Sequence, residues 1–404
     1  MRYRGTSSCR HVARYMHYNE MNELPEGFFK NLKDIMRVTV DTNLMCCHLH
    51  KEDAGCDFAF NDNFANCESM FRNPAPRTSI WVIGSLSIIG SVFVLIWRRI
   101  FKEKNVVQNI MLRHLAVSDG LNGIYLYTVG TKDLLWSGKY YLHDFKWRTG
   151  WSCQLTGAIA LLSSEVSLMM MSLISADRLK NIVFPYDGTA LTQRATHILC
   201  FIIWVVGFLI AFFPMFGLPY FDHPYGYHTY YGRSVVCLPL QLTSKKPVGW
   251  EYSAAFFVGL NFAIFLFITV AYTMIFAKSY LSSRRMARQG TAREIQARSK
   301  SATAKRERAL ARRVFCIILT DCACWMPVIV IGLRSILEKS FSSPGDLAVW
   351  LAVFVLPINS ALNPILYTLS TPQVRTSFLL LKFETILFIC SNTISTWTLL
   401  FLHL

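Results

Sequence analysis

Charged residues are scarce in this sequence. Asp, Glu, Lys and Arg make up 16% of the 404 residues, whereas 53% of the residues are hydrophobic. A soluble domain usually carries charge on about a quarter of its residues. The apolar residues are also gathered into long runs rather than scattered along the chain. This composition excludes an ordinary soluble domain and indicates a membrane protein.

Catalytic signatures are missing as well. The sequence contains no G-x-S-x-G, H-E-x-x-H or P-loop pattern. The hydrophilic connections hold no domain large enough for an enzyme, so we expect neither enzymatic activity nor catalytic residues. The internal repeats of many transporters and the filter of a channel are also absent from the sequence. These absences favour binding or signal transduction, and they leave a transporter as a disfavoured alternative.

The N-terminal residues give no sign of a secretion signal. Residues 1–22 lack the apolar core of about 7–15 residues that a signal peptide needs. We expect either that the first apolar run acts as a signal anchor or that the chain is N-terminally truncated relative to a longer protein.

Seven apolar runs are each long enough for a transmembrane helix, which needs about 20 residues. They lie at 78–98, 106–129, 152–176, 196–217, 253–277, 312–333 and 347–369. Tryptophans near the ends of several runs fit the interfacial anchors of membrane helices. These are Trp81, Trp136, Trp147 and Trp250.

Positive charge is concentrated in one connection between these runs. The net charge is +16, and the stretch 278–313 holds twelve Lys or Arg residues but only two Glu residues. The positive-inside rule places such a connection in the cytoplasm, which puts the N-terminus outside the cell and the C-terminus inside. We therefore expect no nucleic-acid partner. The charge suits anionic membrane lipids and a partner at the cytoplasmic surface.

The segment before the first run carries two extracellular signatures. Residues 35–43, IMRVTVDTN, have the spacing of a leucine-rich repeat, although a chance match is the alternative. A single repeat cannot bury its own core, which suggests a truncated array. Four cysteines follow, and they predict two disulfides in one of three pairings, or less favourably a zinc site. They are Cys46, Cys47, Cys56 and Cys67.

Short motifs in successive runs resemble the rhodopsin-like G-protein-coupled receptors over residues 76–384. They are LAVSD at 115–119, WSCQ around Cys153, ADRLKNIVFP around Arg178, Trp204, Cys237, CWMP at 324–327 and NPILY at 363–367. Further segments are similar to the leucine-rich-repeat receptors for glycoprotein hormones and relaxins; they are 123–157, SSEVS and Asp321. Three segments resemble the relaxin receptors, above all relaxin-receptor-like invertebrate members, more than the gonadotropin receptors; they are YYGRSVVCLPL, CWMP and LPINSALNPILYTLST.

The resemblance implies an all-α membrane protein, a seven-transmembrane helix bundle with a short extracellular leucine-rich-repeat remnant and a cysteine hinge. The expected divisions are a partial repeat at 1–45, the hinge at 46–77, the receptor domain at 78–371, an amphipathic helix at 372–384 and an apolar tail at 385–404. The family pattern also implies a disulfide between Cys153 and Cys237.

A buried polar core around Asp119 is the central expectation. A carboxylate inside a membrane needs partners, and the resemblance supplies candidates on other runs: Ser167, Asn359, Ser360 and Asn363. Such oxygens suit a sodium ion held by Asp119 and Ser167, while a network of waters is the alternative. Ser91 stands where the family has asparagine, and we expect its hydroxyl to reach Asp119.

The resemblance also assigns residues to activation and coupling. Asp321 is expected to face Asn359 and Asn363 as an activation switch. Two prolines would kink their helices, with a tryptophan and a tyrosine completing the switch; the set is Trp325, Pro327, Pro364 and Tyr367. The expected G-protein contacts are Asp177, Arg178, Tyr272 and Tyr367.

The function implied is transduction of an extracellular peptide or protein hormone signal, relaxin-like or glycoprotein-hormone-like, to heterotrimeric G proteins at the plasma membrane. Leu179 replaces the aromatic residue that the family has after Arg178. This departure keeps a second hypothesis open, a seven-helix protein that captures hormone without signalling.

Overall fold

A computed structural model gives the arrangement of the chain. It describes residues 12–15, 24, 26–29, 35–49, 55–60, 65–101, 105–184, 191–221, 229–239, 249–288, 324–338 and 350–368. The predicted amphipathic helix at 372–384 and the apolar tail at 385–404 lie outside these ranges.

Helices dominate the described part of the chain. The α-helices are α1 (Pro74–Ile100), α2 (Val106–Leu135), α3 (Asp144–Thr149), α4 (Trp151–Val183), α5 (Gln193–Phe212), α6 (Trp250–Ser253), α7 (Asn261–Arg288), α8 (Cys324–Leu337) and α9 (Leu356–Thr368). Two π-helical segments, Ala254–Leu260 and Leu351–Val355, lead into α7 and α9. Short 3₁₀ turns lie at Met45–His48, Tyr140–Leu142, Phe213–Met215 and Tyr231–Arg233.

Four of the described helices are long and apolar enough to cross a membrane. They are Pro74–Ile100, Trp151–Val183, Gln193–Met215 and Trp250–Leu281. The helix α2 has 30 residues, which at about 1.5 Å per residue also exceeds the thickness of a bilayer core. The helix α4 is longer than the predicted run at 152–176, since it begins at Trp151 and ends at Val183.

Small residues let the first two helices approach closely. A Cβ built at Gly123 of α2 would lie 2.6 Å from Ile88 Cγ1 and 3.0 Å from the backbone oxygen of Gly84. A Cβ at Gly90 would lie 2.8 Å from the Pro364 ring. Such glycines allow backbone contact between membrane helices, where packing drives association. The helix α1 therefore sits directly against both α2 and α9.

Three parallel strands form a small sheet before the first helix. They are β1 (Val12–Tyr15), β2 (Ile35–Thr42) and β3 (Gly55–Phe60), in the order β1-β2-β3. On β2, Val38 and Val40 are buried, whereas Arg37 pairs with Asp57 of β3 at 2.6 Å. The Arg37 hydrogen bond lowers the pKa of the Asp57 carboxyl. The strand predicted within 35–43 is present as β2, which ends at Thr42, and β3 is an additional strand within the predicted hinge.

Disulfides join the hinge to this sheet. Cys46 pairs with Cys56, and Cys47 pairs with Cys67. This pairing selects one of the three connectivities that the sequence leaves open. Because the four sulfurs are used in two disulfides, the alternative of a zinc site is wrong for these residues.

The hinge packs on the end of α2. The backbone N–H of Met70 donates to Asp133 Oδ1 at 3.0 Å, and Arg77 Nε lies 2.6 Å from Asp133 Oδ2. The N–H of Gly138 donates to the carbonyl of Glu68 at 2.6 Å. The Cys47–Cys67 disulfide therefore links the sheet to a segment that is itself bonded to the helical bundle.

Trp147, one of the expected interfacial anchors, is buried in the structure. Trp147 is 1% exposed, and its Nε1 donates to the carbonyl of Val235 at 2.7 Å. The prediction that Trp147 is an interfacial anchor is therefore wrong, because the indole is buried against the connection between α5 and α6. This connection, which contains Val235, is called the second outer connection below. Trp151, four residues later at the start of α4, is 64% exposed and fits an interface.

Candidate functional site

Asp119 lies at the centre of a buried polar junction. It stands on α2 and is 1% exposed. Ser167 of α4 donates from Oγ to Asp119 Oδ1 at 3.1 Å, and Asn363 of α9 donates from Nδ2 to the same oxygen at 3.3 Å. One carboxylate therefore joins three helices, and both donors belong to the predicted set of partners.

A second polar contact joins α2 to α9. Asn122 Nδ2 donates to Ser360 Oγ at 2.9 Å, and both residues are buried. Ser360 is one of the residues expected to partner Asp119, and in the structure its hydroxyl accepts from Asn122 instead. Asn122 is not among the predicted site residues. Its position three residues after Asp119 places it on the same helix face and is the signal that could have found it.

A small cavity lies beside these contacts. Its volume of about 30 Å³ for water centres is room for roughly two waters. The predicted polar residue Asn359 lines it. The full lining is Asn122, Tyr125, Ala160, Ser164, Ser167, Leu168, Leu238, Phe257, Trp325, Leu356, Pro357, Asn359 and Ser360.

The oxygens of the junction form a donor set that fits a hard cation. Asp119 supplies a carboxylate and Ser167 a hydroxyl, the kinds of ligand that such ions take. Asn363 is fully buried, and its Oδ1 has no hydrogen-bond partner among the described residues. A buried carbonyl of this kind calls for a water or an ion as its partner.

Ser91 does not behave as expected. It is 3% exposed on α1, and its Oγ lacks a hydrogen-bond partner within the described ranges. The prediction that Ser91 bonds Asp119 is therefore wrong. A Cβ at Gly120 would lie 3.3 Å from Ser91 Cβ, so Ser91 packs against the α2 backbone next to Asp119.

A second buried carboxyl lies further along α4. Glu165 has no exposed surface, and Asn261 of α7 donates from Nδ2 to Glu165 Oε1 at 3.4 Å. The other oxygen of each side chain has no hydrogen-bond partner among the residues described. The sequence draws attention to Glu165 as an ionisable residue inside a membrane helix, but it does not reveal Asn261, which directly follows a π-helical segment.

The second outer connection covers the cavity. The Cys153–Cys237 disulfide is present, with 5.5 Å between the two Cα atoms. Tyr125 of α2 donates from its hydroxyl to the carbonyl of Val236 at 2.9 Å. Leu238 follows and lines the cavity. The disulfide therefore holds this segment in contact with the polar site.

The predicted coupling residues lie at the opposite end of the bundle from the disulfide. Asp177 accepts a hydrogen bond from Asn181 at 3.1 Å, and Ser175 donates to the hydroxyl of Tyr272 at 3.3 Å. Asp177 Oδ2 and Arg178 Nη2 have no hydrogen-bond partner in the described part of the chain. The structure thus brings α4 and α7 together here, and among the described residues Arg178 forms no salt bridge.

The predicted activation switch is described in part. Trp325 is buried and lines the cavity, and Pro327 lies within α8. Pro364 lies inside α9, which also contains Tyr367. Asp321 falls outside the described residues, so its expected contacts with α9 stay predictions.

Long apolar helices around a buried polar junction, covered at one end by a disulfide-tied segment, define a membrane-embedded helical bundle of the receptor type. Residues 82–367 match the family described as 7 transmembrane receptor (rhodopsin family). The chain therefore belongs to the rhodopsin family of seven-transmembrane receptors, which confirms the predicted fold class. Such receptors are multi-pass proteins of the plasma membrane.

Similar proteins support the predicted group. "G-protein coupled receptor GRL101" of Lymnaea stagnalis is 36% identical over 85% of this chain and 29% of its own length. Relaxin receptor 1 of Homo sapiens is 33% identical over 77% of this chain and 39% of its own length. The follicle-stimulating hormone receptor of Felis catus is 27% identical over 79% of this chain and 42% of its own length. The chain thus spans less than half the length of these relatives.

Proposed function

We propose that the chain is the transducing part of a hormone receptor that couples an extracellular peptide or protein hormone, relaxin-like or glycoprotein-hormone-like, to heterotrimeric G proteins. The observation that carries this proposal is the Asp119 junction, where one carboxylate is bonded to both α4 and α9. Buried polar groups weaken a membrane bundle unless they are satisfied. A junction of this kind suits a protein with two helix arrangements.

The proposal gives the chain an orientation. The sheet and hinge, with their disulfides, lie outside the cell, where such bonds persist. The basic connection after α7 lies in the cytoplasm beside anionic lipids and the G protein. Asp177, Arg178, Tyr272 and Tyr367 would then form the surface that receives the G protein.

Sodium is the proposed modulator of the Asp119 junction. Asp119 and Ser167 would supply a carboxylate and a hydroxyl, and the free oxygen of Asn363 is close at hand through its bond to Asp119. In this proposal Asp321, Trp325, Pro327 and Pro364 belong to the element that moves.

A cell assay tests the proposal. The chain, tagged at both ends, is expressed with sensors for dissociation of each Gα family. Relaxin-type peptides and glycoprotein hormones are then added in turn. We expect basal or hormone-evoked dissociation that Arg178→Ala abolishes. The matched control Arg194→Ala replaces an exposed arginine of α5 and should leave dissociation unchanged.

Two results would contradict the proposal. Hormone binding at normal surface expression, without dissociation of any Gα, would favour the non-signalling capture protein. Antibody access to the C-terminal tag in intact cells would contradict the orientation.

A further inference from the structure

We propose that Asn122 is a positioning residue whose hydrogen bond to Ser360 holds α9 against α2 independently of Asp119. The role of the hydrogen bond in holding α9 does not depend on the proposed function. Only the link between motion of α9 and signalling rests on that function. The contact between Asp119 and Asn363 is called the inner bond below, and the contact between Asn122 and Ser360 is called the outer bond.

The two bonds form a regular pattern. On α2 the bonded residues are 119 and 122, and on α9 they are 363 and 360, respectively. The spacing is three residues on each antiparallel helix, which is about 4.5 Å along the axis. Two parallel contacts at this spacing fix both the height and the rotation of α9 relative to α2. A single contact would restrain the rotation less.

The proline gives this spacing its importance. Pro364 has no N–H, so the carbonyl of Ser360, four residues earlier, lacks its usual helical donor. The turn from Ser360 to Asn363 therefore lacks one helical hydrogen bond. The outer bond holds the first residue of that turn, and the inner bond holds the last. Gly90 of α1 lies close to the Pro364 ring, since a Cβ built on Gly90 would be 2.8 Å from that ring.

The two bonds differ in chemistry. The inner bond has a carboxylate as its acceptor, so its strength changes when Asp119 binds a proton or a cation. The outer bond joins an amide to a hydroxyl, and neither group titrates in the physiological range. The outer bond therefore persists when the state of Asp119 changes. The turn opens only when both bonds break. The free energy of opening therefore depends on Asn122 as well as on Asp119.

The size of the effect follows from the type of bond. Loss of a neutral buried hydrogen bond changes an equilibrium by roughly two- to tenfold. Opening of the 360–363 turn should become more frequent by that factor when either partner of the outer bond is truncated. If both partners are truncated, the effect should not double, because the same bond is lost.

Hydrogen–deuterium exchange on the purified full chain in lipid nanodiscs measures this opening without hormone or G protein. The segment to follow is 356–368. We expect Asn122→Ala and Ser360→Ala each to raise its exchange rate two- to tenfold, and the double variant to match either one. Exchanging the two residues, as Asn122→Ser with Ser360→Asn, should restore the native rate.

The matched control is Ser163→Ala. Ser163 is a fully buried serine that bonds α4 to the Ser118 carbonyl of α2 at 2.7 Å and has no contact with α9 through its hydroxyl. It should leave exchange in 356–368 unchanged. Unchanged exchange in Asn122→Ala, additive effects in the double variant, or no recovery in the swapped pair would overturn the proposal. Because exchange needs no signalling, these outcomes are separate from failure of the proposed function.

Discussion

Removing the partner of the buried Glu165 carboxyl should destabilise the bundle more than removing the pair. Asn261→Leu deletes the hydrogen bond at 3.4 Å that reaches Glu165 Oε1, while Oε2 already lacks a partner in the described part of the chain. A buried polar group left unsatisfied costs about 1–3 kcal/mol, and more when it is charged. We therefore expect Asn261→Leu to lower stability by about 1–3 kcal/mol.

Two further variants isolate the cause. Glu165→Gln keeps an acceptor oxygen for Asn261 in a side chain of similar shape that cannot ionise, so we expect stability within about 1 kcal/mol of the native chain. The double variant Glu165→Leu with Asn261→Leu replaces both polar groups by apolar ones of similar size, a change that can be nearly neutral or stabilising. The double variant should therefore be more stable than Asn261→Leu alone.

The chain contains its own reporters for this measurement. Cys200 and Cys324 are buried cysteines outside the described disulfides, and a thiol-reactive dye will label them as the bundle unfolds on heating in nanodiscs. An apparent unfolding temperature for each variant orders the four proteins. If the double variant unfolds at or below the temperature of Asn261→Leu, the loss arises from packing and the reasoning about the carboxyl is refuted.

Three other expectations concern the disulfide, the α1 contact and the polar junction. Cys153→Ser with Cys237→Ser opens a closure of 84 residues, and we expect a loss of about 4–5 kcal/mol in thermal unfolding; no loss would contradict a structural role. Gly90→Ala forces a methyl group to within 2.8 Å of Pro364, so we expect faster hydrogen exchange in 356–368. Asp119→Asn should abolish any rise in unfolding temperature when NaCl replaces choline chloride at equal ionic strength; an equal rise in both proteins would exclude Asp119 as a sodium ligand.

The polar junction could be predicted in outline because buried charge is costly. Asp119 stands out in a membrane helix, and any satisfying partners had to come from the few polar residues of other helices, as Ser167 and Asn363 do. Which pairs form is decided by rotation of the helices. The sequence does not show that rotation, so it could not predict that Ser360 bonds Asn122 rather than Asp119.

Other parts of the structure leave weaker traces in the sequence. The pairing of four cysteines depends on where β3 lies, and β3 has no repeat pattern that would predict it. Asn261 follows the π-helical segment Ala254–Leu260. Such a segment changes the helical phase after it, so regular spacing cannot place Asn261 opposite Glu165.

The polar face of α2 connects the parts of the site that the sequence treats separately. Asp119, Asn122 and Tyr125 follow one another at intervals of three residues, and their partners are Asn363, Ser360 and the carbonyl of Val236. Two of these contacts hold the loosened turn of α9, and the third holds the segment that the disulfide ties to α4. Because all three contacts share one rigid helix, a displacement of the outer segment that moves α2 also acts on α9. The helix α2 therefore contacts both the disulfide-tied segment and the proline turn.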